Sequence, residues 1–293
     1  MKSPLLTGQI LGWLLCCPAL IAMITVTAYP IIYAFWLSLF RYDLRFPDSR
    51  SFTGADNYLS VLSSPIWWEG LLNTVIITVC SVSVELLLGM VFALVMHRAI
   101  IGRKLVRAAI LIPYGIITVV AALIWKFAFM PTTGFINSLT GLSLSWFGGR
   151  WSAFLVIIVT EIWKTTPFMS LLLLAGITLV PNDLLRAARV DGASAWQRFS
   201  LITLPIMKPA IAVALLFRTL DAFRIFDTVF IQTRGAQNTE TVSIIGYHVL
   251  ISRLNLGLGS AVSILIFFCV LLISAGYLRV FGLAGDLTGE EKP

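Results

Sequence analysis

The sequence predicts an all-α integral membrane protein with six transmembrane helices. Three observations carry that prediction. Hydrophobic residues make up 58% of the 293-residue chain and charged residues only 12%, whereas a soluble domain carries about a quarter charged residues. The apolar residues are gathered into runs long enough to cross a bilayer, which takes roughly 20 residues. Six such runs occur, at about 11–39, 71–96, 106–130, 152–180, 206–231 and 259–281. Finally, the stretch Leu184–Pro209 between the fourth and fifth runs is polar and helix-forming, which marks it as an element outside the lipid.

The first run is too long for the apolar core of a cleaved signal peptide. The sequence Leu14-Leu15-Cys16-Cys17 also lacks the small residue that precedes a lipoprotein cysteine. Residues 1–70 therefore read as an N-terminal transmembrane helix with an outer loop, residues 71–281 as five further spans, and residues 282–293 as a cytoplasmic tail. Trp67 and Trp68 are expected at the membrane interface, where amphipathic rings concentrate. Cys16, Cys17, Cys80 and Cys269 all fall in apolar runs and are expected as buried small hydrophobes, not as disulfides or metal ligands. Lys and Arg sort by connection. Eleven lie at the termini and in the second–third and fourth–fifth connections, against six in the other three. That asymmetry predicts a multi-pass cell-membrane protein with both termini and Leu184–Pro209 in the cytoplasm. The net charge of +7 follows this sidedness, so a lipid bilayer, and not nucleic acid, is the expected partner.

The sequence contains no G-x-x-x-x-G-K-[ST] motif and no Gly-Lys pair. It therefore cannot cradle ATP phosphates in a P-loop, no cofactor is expected in this chain, and any ATP and Mg are expected in a partner. His97 and His248 fall in different connections with no H-E-x-x-H, so neither catalytic residues nor a metal site are expected. Ionisable groups inside spans are costly and face a bundle interior or a water-filled path. The fourth span carries Glu161, Trp163, Lys164, Thr165, Thr166 and Pro167. Pro167 removes a backbone donor and is expected to kink or open the helix, while Glu161 and Lys164, three residues apart, can pair on one face. In the fifth span Arg218, Asp221, Arg224 and Asp227 alternate in sign every three residues and predict one polar stripe, with Phe223 beside it. Asn73 and Glu85 mark the second span. Such groups form either an internally paired seam or the lining of a path. Glu85, alone among apolar residues, reads as structural. Intramembrane carboxylates also admit an ion-coupled secondary transporter, although the internal repeats usual in such proteins are not evident.

Within Leu184–Pro209 the local signals are strong. Asn182 and Asp183 follow Pro181 and can cap a helix start. Leu184, Leu185, Ala188 and Val190 supply an apolar face at helical spacing, and Asp191-Gly192 ends the helix, because glycine accepts a left-handed backbone. Ser194 with Gln197 makes a capping box for a second short helix whose face is Ala195, Trp196 and Phe199. The two helices form a compact knob, and Pro205 and Pro209 return the chain to the membrane.

This pattern resembles the EAA loop of permease subunits of ABC-type importers, which runs roughly E-A-A-x-x-D-G-A, then Phe, then Leu-Pro. Ala187, Ala188, Asp191, Gly192, Ala193, Phe199, Leu204 and Pro205 match it. Arg186 stands where the family usually has Glu, which puts the usual acidic contact to the ATPase in question. The likeness extends over about Leu72–Phe281. Phe223, Phe226, Asp227 and Thr233-Arg234-Gly235 resemble the family's aromatic-Asp and Thr-Gly-Gly stretch, and Gly257, Gly259, Ser260 and Ala261 its small-residue start of the last span. The chain is thus similar to carbohydrate-importer permeases of the maltose and glycerol-3-phosphate type, and EIWKTTPFMSLLLLAGITLVPNDLLRAARVDGASAW is most like the trehalose-importing branch. The resemblance implies a type I importer core with a coupling loop at 182–205. It further implies a second permease, two ATP-binding subunits, and an extracytoplasmic sugar-binding protein or lipoprotein. The implied cargo is a sugar, a disaccharide such as trehalose. Arg186, Ala187, Ala188, Asp191, Gly192, Ala193, Trp196 and Phe199 are then expected to contact the ATPase. Glu161, Trp163, Lys164, Thr165, Asp221, Phe223, Arg224, Asp227 and Asn73 are expected to line the substrate path.

Overall fold

The computed structural model describes residues 8–98, 102–141 and 144–281; the tail read at 282–293 lies outside them. The chain begins with α1 (Gly8–Met23), a five-residue π turn and α2 (Tyr29–Ser38). A short hairpin follows, β1 (Phe40–Arg41) and β2 (Ser51–Phe52), then α3 (Asp56–Leu62) and the 34-residue α4 (Pro65–Arg98). Next come α5 (Arg103–Gly115), α6 (Thr118–Ala128), α7 (Phe135–Thr140) and α8 (Arg150–Thr178). Two short helices, α9 (Asn182–Val190) and α10 (Ala195–Arg198), lead through a π turn and α11 (Leu204–Ile206) to α12 (Lys208–Phe223). The order closes with α13 (Asp227–Gln232), α14 (Val242–Tyr247) and α15 (Leu256–Val280). Four helices are long and apolar enough to cross a membrane, or up to six if each of two bent pairs is one span.

Two of the predicted spans are not single rods. The run at 106–130 is broken at Ile116 and Ile117, both extended, so that α5 and α6 meet at 89°. Hydropathy alone hides this break, because the residues at the bend are as apolar as their neighbours. The fifth run is bent by 67° where the segment ending at Ile206 meets the one starting at Lys208, and its helix stops again after Phe223. By contrast, Pro167 does not open the fourth span: α8 is helical through it. The Oγ1 atoms of Thr165 and Thr166, just before the proline, donate to the carbonyls of Glu161 and Ile162 at 2.6 Å.

The chain divides into two compact units. One comprises the described residues to Ser64 with Gly246–Phe267. Here Phe40 pairs with Phe52 and Arg41 with Ser51, and the Asn57 amide donates to the carbonyls of Ser38 and Phe40 at 2.7 and 2.9 Å. Gly257 lies against the Phe40 carbonyl so closely that a Cβ would collide with it. The Asp43 carboxylate bonds the Arg45 guanidinium and amide, which holds its pKa down at about 2.

The other unit comprises Pro65–Ile245 and the residues from Phe268 onward, and is organised on α4 packed along α8. Met96, Met169, Leu173 and Met207 are fully enclosed, and Gly89 permits the close approach, since a Cβ there would come within 2.8 Å of Met169. Trp67, expected at the membrane interface, is 3% exposed and belongs to this interior, while Trp68 is exposed. The cysteine expectation is also corrected: all four are free, three are exposed and Cys269 is half-buried. An apolar side chain on a membrane helix can face lipid as readily as protein, so position in an apolar run does not decide burial.

Candidate functional site

Three carboxylates of the spans converge on Arg218. This side chain, 1% exposed in the middle of α12, donates two hydrogen bonds to Glu85 on α4, Nε to Oε2 at 2.5 Å and Nη2 to Oε1 at 3.0 Å. It donates from Nη2 to Glu161 Oε2 on α8 at 3.0 Å and from Nη1 to Asp221 Oδ2 at 2.8 Å. Thr228 Oγ1 on α13 donates to the second oxygen of Glu161. One guanidinium thereby ties three long helices, and its planar fork suits carboxylates approaching from several sides. Glu161 is therefore paired with Arg218, not with Lys164 as its helical spacing suggests. A three-residue interval lets two side chains meet on one helix, but here the Arg218 guanidinium and the Thr228 hydroxyl, from two other helices, satisfy one carboxylate oxygen each.

Beside this cluster opens a polar cavity of about 280 Å3. Glu161, Lys164, Thr165, Asp221, Arg224 and Asp227, all expected in the path, line it together. The stripe they were expected to form is not a continuous helix face. α12 ends at Phe223, Arg224 caps it, and Asp227 opens α13, so the break fans these side chains around the opening. Asp221, Arg224 and Asp227 are exposed, and Lys164 is half-buried with its ammonium 5.6 Å from the Tyr114 ring centre. Among the described residues Lys164, Arg224 and Asp227 make no ion pair. The cavity thus presents both charge signs and hydroxyls without sealing them against one another.

Three expected path residues lie elsewhere. Trp163 packs edge-on against Trp125, ring centres 5.8 Å apart, in an apolar pocket. Phe223 is buried on an apolar side of α12. Asn73 is a brace: its amide donates to the carbonyls of Asn238 and Glu240 at 2.9 and 2.8 Å, and its Oδ1 accepts from Arg150 at 2.8 Å. The loop it holds contains Arg234, Gln237 and Asn238 at positive φ. Arg234, at φ 55, adopts the backbone that a glycine would take without strain, at the position where the family's Thr-Gly-Gly-like stretch has glycine. Tyr114, Thr118 and Thr228 also line the cavity, with Ile225 and Phe226; the tyrosine and threonines were not singled out, because a lone Tyr or Thr in an apolar run carries no signal. Arg218 carried one, as a cation enclosed by ALLF and TLDAF.

The knob folds largely as its sequence suggests. Ser194 accepts from the Gln197 amide at 3.2 Å while Gln197 Oε1 accepts from the Ser194 amide at 2.7 Å, a complete capping box. Gly192 has φ +81, and nothing lies within 4 Å of where its Cβ would be. The start of α9 differs: Pro181 occupies the N-cap and Asn182 is the first helical residue. Leu185 packs on the core, whereas Val190 and Trp196 are 88% and 71% exposed. Arg186 forms an exposed pair with Asp183 at 3.7 Å, and Ala187, Ala188, Asp191 and Ala193 surround the turn. The Arg198 guanidinium donates to the Ala193 carbonyl across it, and Phe199 packs beside Trp196 with ring centres 5.7 Å apart.

With this geometry in place, comparison with known proteins is direct. A family model described as the binding-protein-dependent transport system inner membrane component matches residues 85–282. The trehalose transport system permease protein SugA of Mycobacterium tuberculosis is 52% identical over 94% of this chain and 89% of its own length. The trehalose/maltose transport system permease protein MalF of Thermococcus litoralis is 40% identical over 92% and 93%. In three dimensions the chain superposes on a chain of a bacterial ABC transporter involved in the import of the acidic polysaccharide alginate. The TM-score there is 0.80 at 21% identity, covering 94% of this chain and 96% of the other, a likeness of fold. None of these matches supports an ion-coupled transporter.

Proposed function

Because the chain belongs to the family of binding-protein-dependent transport system inner membrane components, we propose that it is one of two permease subunits of an ATP-driven importer for a neutral disaccharide of the trehalose type. The observation that carries the cargo class is the 52% identity to a trehalose permease over nearly the whole chain. The cavity chemistry agrees with it. A neutral sugar offers hydroxyls and ring faces, and charge-assisted hydrogen bonds to hydroxyls are roughly twice as strong as neutral ones. Lys164, Arg224 and Asp227 supply such groups, while Arg218 holds Glu161 and Asp221 in fixed orientation beside them.

In this reading each bent helix pair is one span, giving six, with both termini and the α9–α10 knob in the cytoplasm. The knob is the EAA-type coupling element. Arg186 to Ala193, with Trp196 and Phe199, dock on an ATP-binding subunit that holds ATP and Mg. A second permease completes the path, a second ATP-binding subunit serves it, and an extracytoplasmic sugar-binding protein delivers the cargo. Closure of the ATPase pair moves the knobs and rocks the spans between outward and inward access, a rigid-body two-state change. This chain does no covalent chemistry.

The test is purification of the tagged chain from its own cell, followed by reconstitution with the sugar-binding protein. Trehalose should stimulate ATP hydrolysis and accumulate in vesicles more than sucrose does. Purification without any ATP-binding subunit would remove the assembly reading. ATP hydrolysis unmoved by disaccharides in an intact assembly would remove the cargo.

A further inference from the structure

A second cavity lies on the other side of α4, away from the polar cluster. It is a groove of about 830 Å3 between the C-terminal half of α4, the α10–α11 segment and the start of α12. Its walls are almost wholly apolar: Leu86, Met90 and Leu94 of α4 face Phe199, Leu204 and Ile211. The exceptions are two cations at one end, Arg98 in the last turn of α4 and Lys208 in the first turn of α12. Both are exposed, neither makes an ion pair with a described residue, and no acidic side chain lines the groove.

Depth separates the candidate occupants. From Leu86 to Arg98 the helix rises by about 18 Å at 1.5 Å per residue. One leaflet of the hydrocarbon core is about 15 Å deep, half of roughly 30 Å. With Arg98 at the headgroup level the groove is long enough to reach the bilayer midplane and no further, which is the length of one acyl chain; a spanning helix would need a seat twice as deep. The charge pattern agrees, because basic pockets between helices on the cytoplasmic side bind anionic headgroups, and Trp196 at the rim suits that level.

We propose that this groove binds an anionic phospholipid of the cytoplasmic leaflet, its phosphate between Arg98 and Lys208 and an acyl chain along Leu86–Leu94. The lipid would lie against Trp196 and Phe199 and so make the seating of the knob depend on membrane composition. The proposal uses the sidedness given above, which labelling of position 188 tests separately. Lipid retention is measured by native mass spectrometry on the purified transporter complex carrying dioleoyl phosphatidylglycerol or dioleoyl phosphatidylcholine. Arg98→Gln with Lys208→Gln should lower phosphatidylglycerol retention about 30-fold, the loss expected for two basic contacts near the surface, and leave phosphatidylcholine unchanged. Met90→Trp, which fills the groove and keeps the charges, should also displace phosphatidylglycerol, and inorganic phosphate should not compete. An equal loss in Arg279→Gln, outside the groove, would reduce the effect to general charge attraction and overturn the proposal. Displacement by inorganic phosphate, or cross-linking of a cysteine at position 90 to the second permease with lipid retention unaltered, would do the same.

Discussion

Replacing Arg218 with methionine removes the guanidinium from between two buried carboxylates and leaves an apolar side chain about as long as the arginine's aliphatic stem. Glu85 is 0% exposed and would be stranded away from water, while Glu161, buried at the edge of the polar cavity, would keep only its Thr228 bond. Breaking a buried ion pair from one side costs about 3–5 kcal/mol. The third contact is different in kind: Asp221 is 66% exposed on its side chain, and an exposed pair contributes about 0–1 kcal/mol. Arg218→Met should therefore cost several times what Asp221→Asn costs, although both remove a bond to the same network. A further contrast follows. Replacing the whole seam, Arg218→Met with Glu85→Leu and Glu161→Gln, should recover most of the loss, because a well-packed apolar replacement of a buried ion network is often neutral. The assay is the yield of monodisperse complex and its midpoint of thermal unfolding in one detergent. Wild-type stability for Arg218→Met alone, or equal damage from Asp221→Asn, would refute the assignment of Arg218 as the tie between α4, α8 and α12.

Arg224 makes no ion pair among the described residues and is exposed to the cavity. Arg224→Ala should therefore lower sugar uptake at least tenfold while complex yield stays within a factor of two, and normal transport would exclude it from the path. Gly192→Val places a β-branched residue at φ +81 in open space. The penalty, about 1–2 kcal/mol, falls on the turn and not on packing, so the protein should insert normally and lose sugar-stimulated ATP hydrolysis; retained uptake would sever the knob from coupling. Cysteines introduced at positions 105 and 188 should label only from the cytoplasm and those at 48 and 237 only from outside, and external labelling of position 188 would invert the topology.

How much of this was legible in the sequence depends on the range of the interaction. The Ser194–Gln197 capping box and the Gly192 turn close over three to four residues, and both were read correctly from residue types alone. The partner of Glu161 was not, because Arg218 is 57 positions away while Lys164 stands at a helical interval. Asn73 was singled out as polar in a span, but its role as a brace for the loop at 238–240 depends on a backbone that no residue pattern announces. The bend at Ile116 and Ile117 escaped for the opposite reason: hydropathy is continuous through it, and only the extended conformation of two ordinary apolar residues interrupts the helix. Five of the six expected residues around the cavity stood out because charge within lipid is costly wherever it occurs, but the same set of nine also held Trp163, Phe223 and Asn73, which lie elsewhere. The way a broken helix spreads them around an opening was not legible.

The wide spacing of the Arg218 network also bears on synthesis. Glu85 and Glu161 leave the ribosome before the arginine that neutralises them exists, since it lies 133 and 57 residues downstream. Their helices must partition into the bilayer on their own apolar content, against an insertion penalty of about 2.5–3.5 kcal/mol for a central acidic residue. α4, with a mean hydropathy of 2.4 over its most apolar window, bears this easily; α8, at 1.4, has less in reserve. A nascent chain stalled before α12 therefore holds two uncompensated carboxylates among lipid-soluble helices, a state distinguishable from the finished protein by charge alone. Arrival of Arg218 closes that interval, so the residue that fastens the mature bundle also ends the period in which the inserted chain carries these two carboxylates without it.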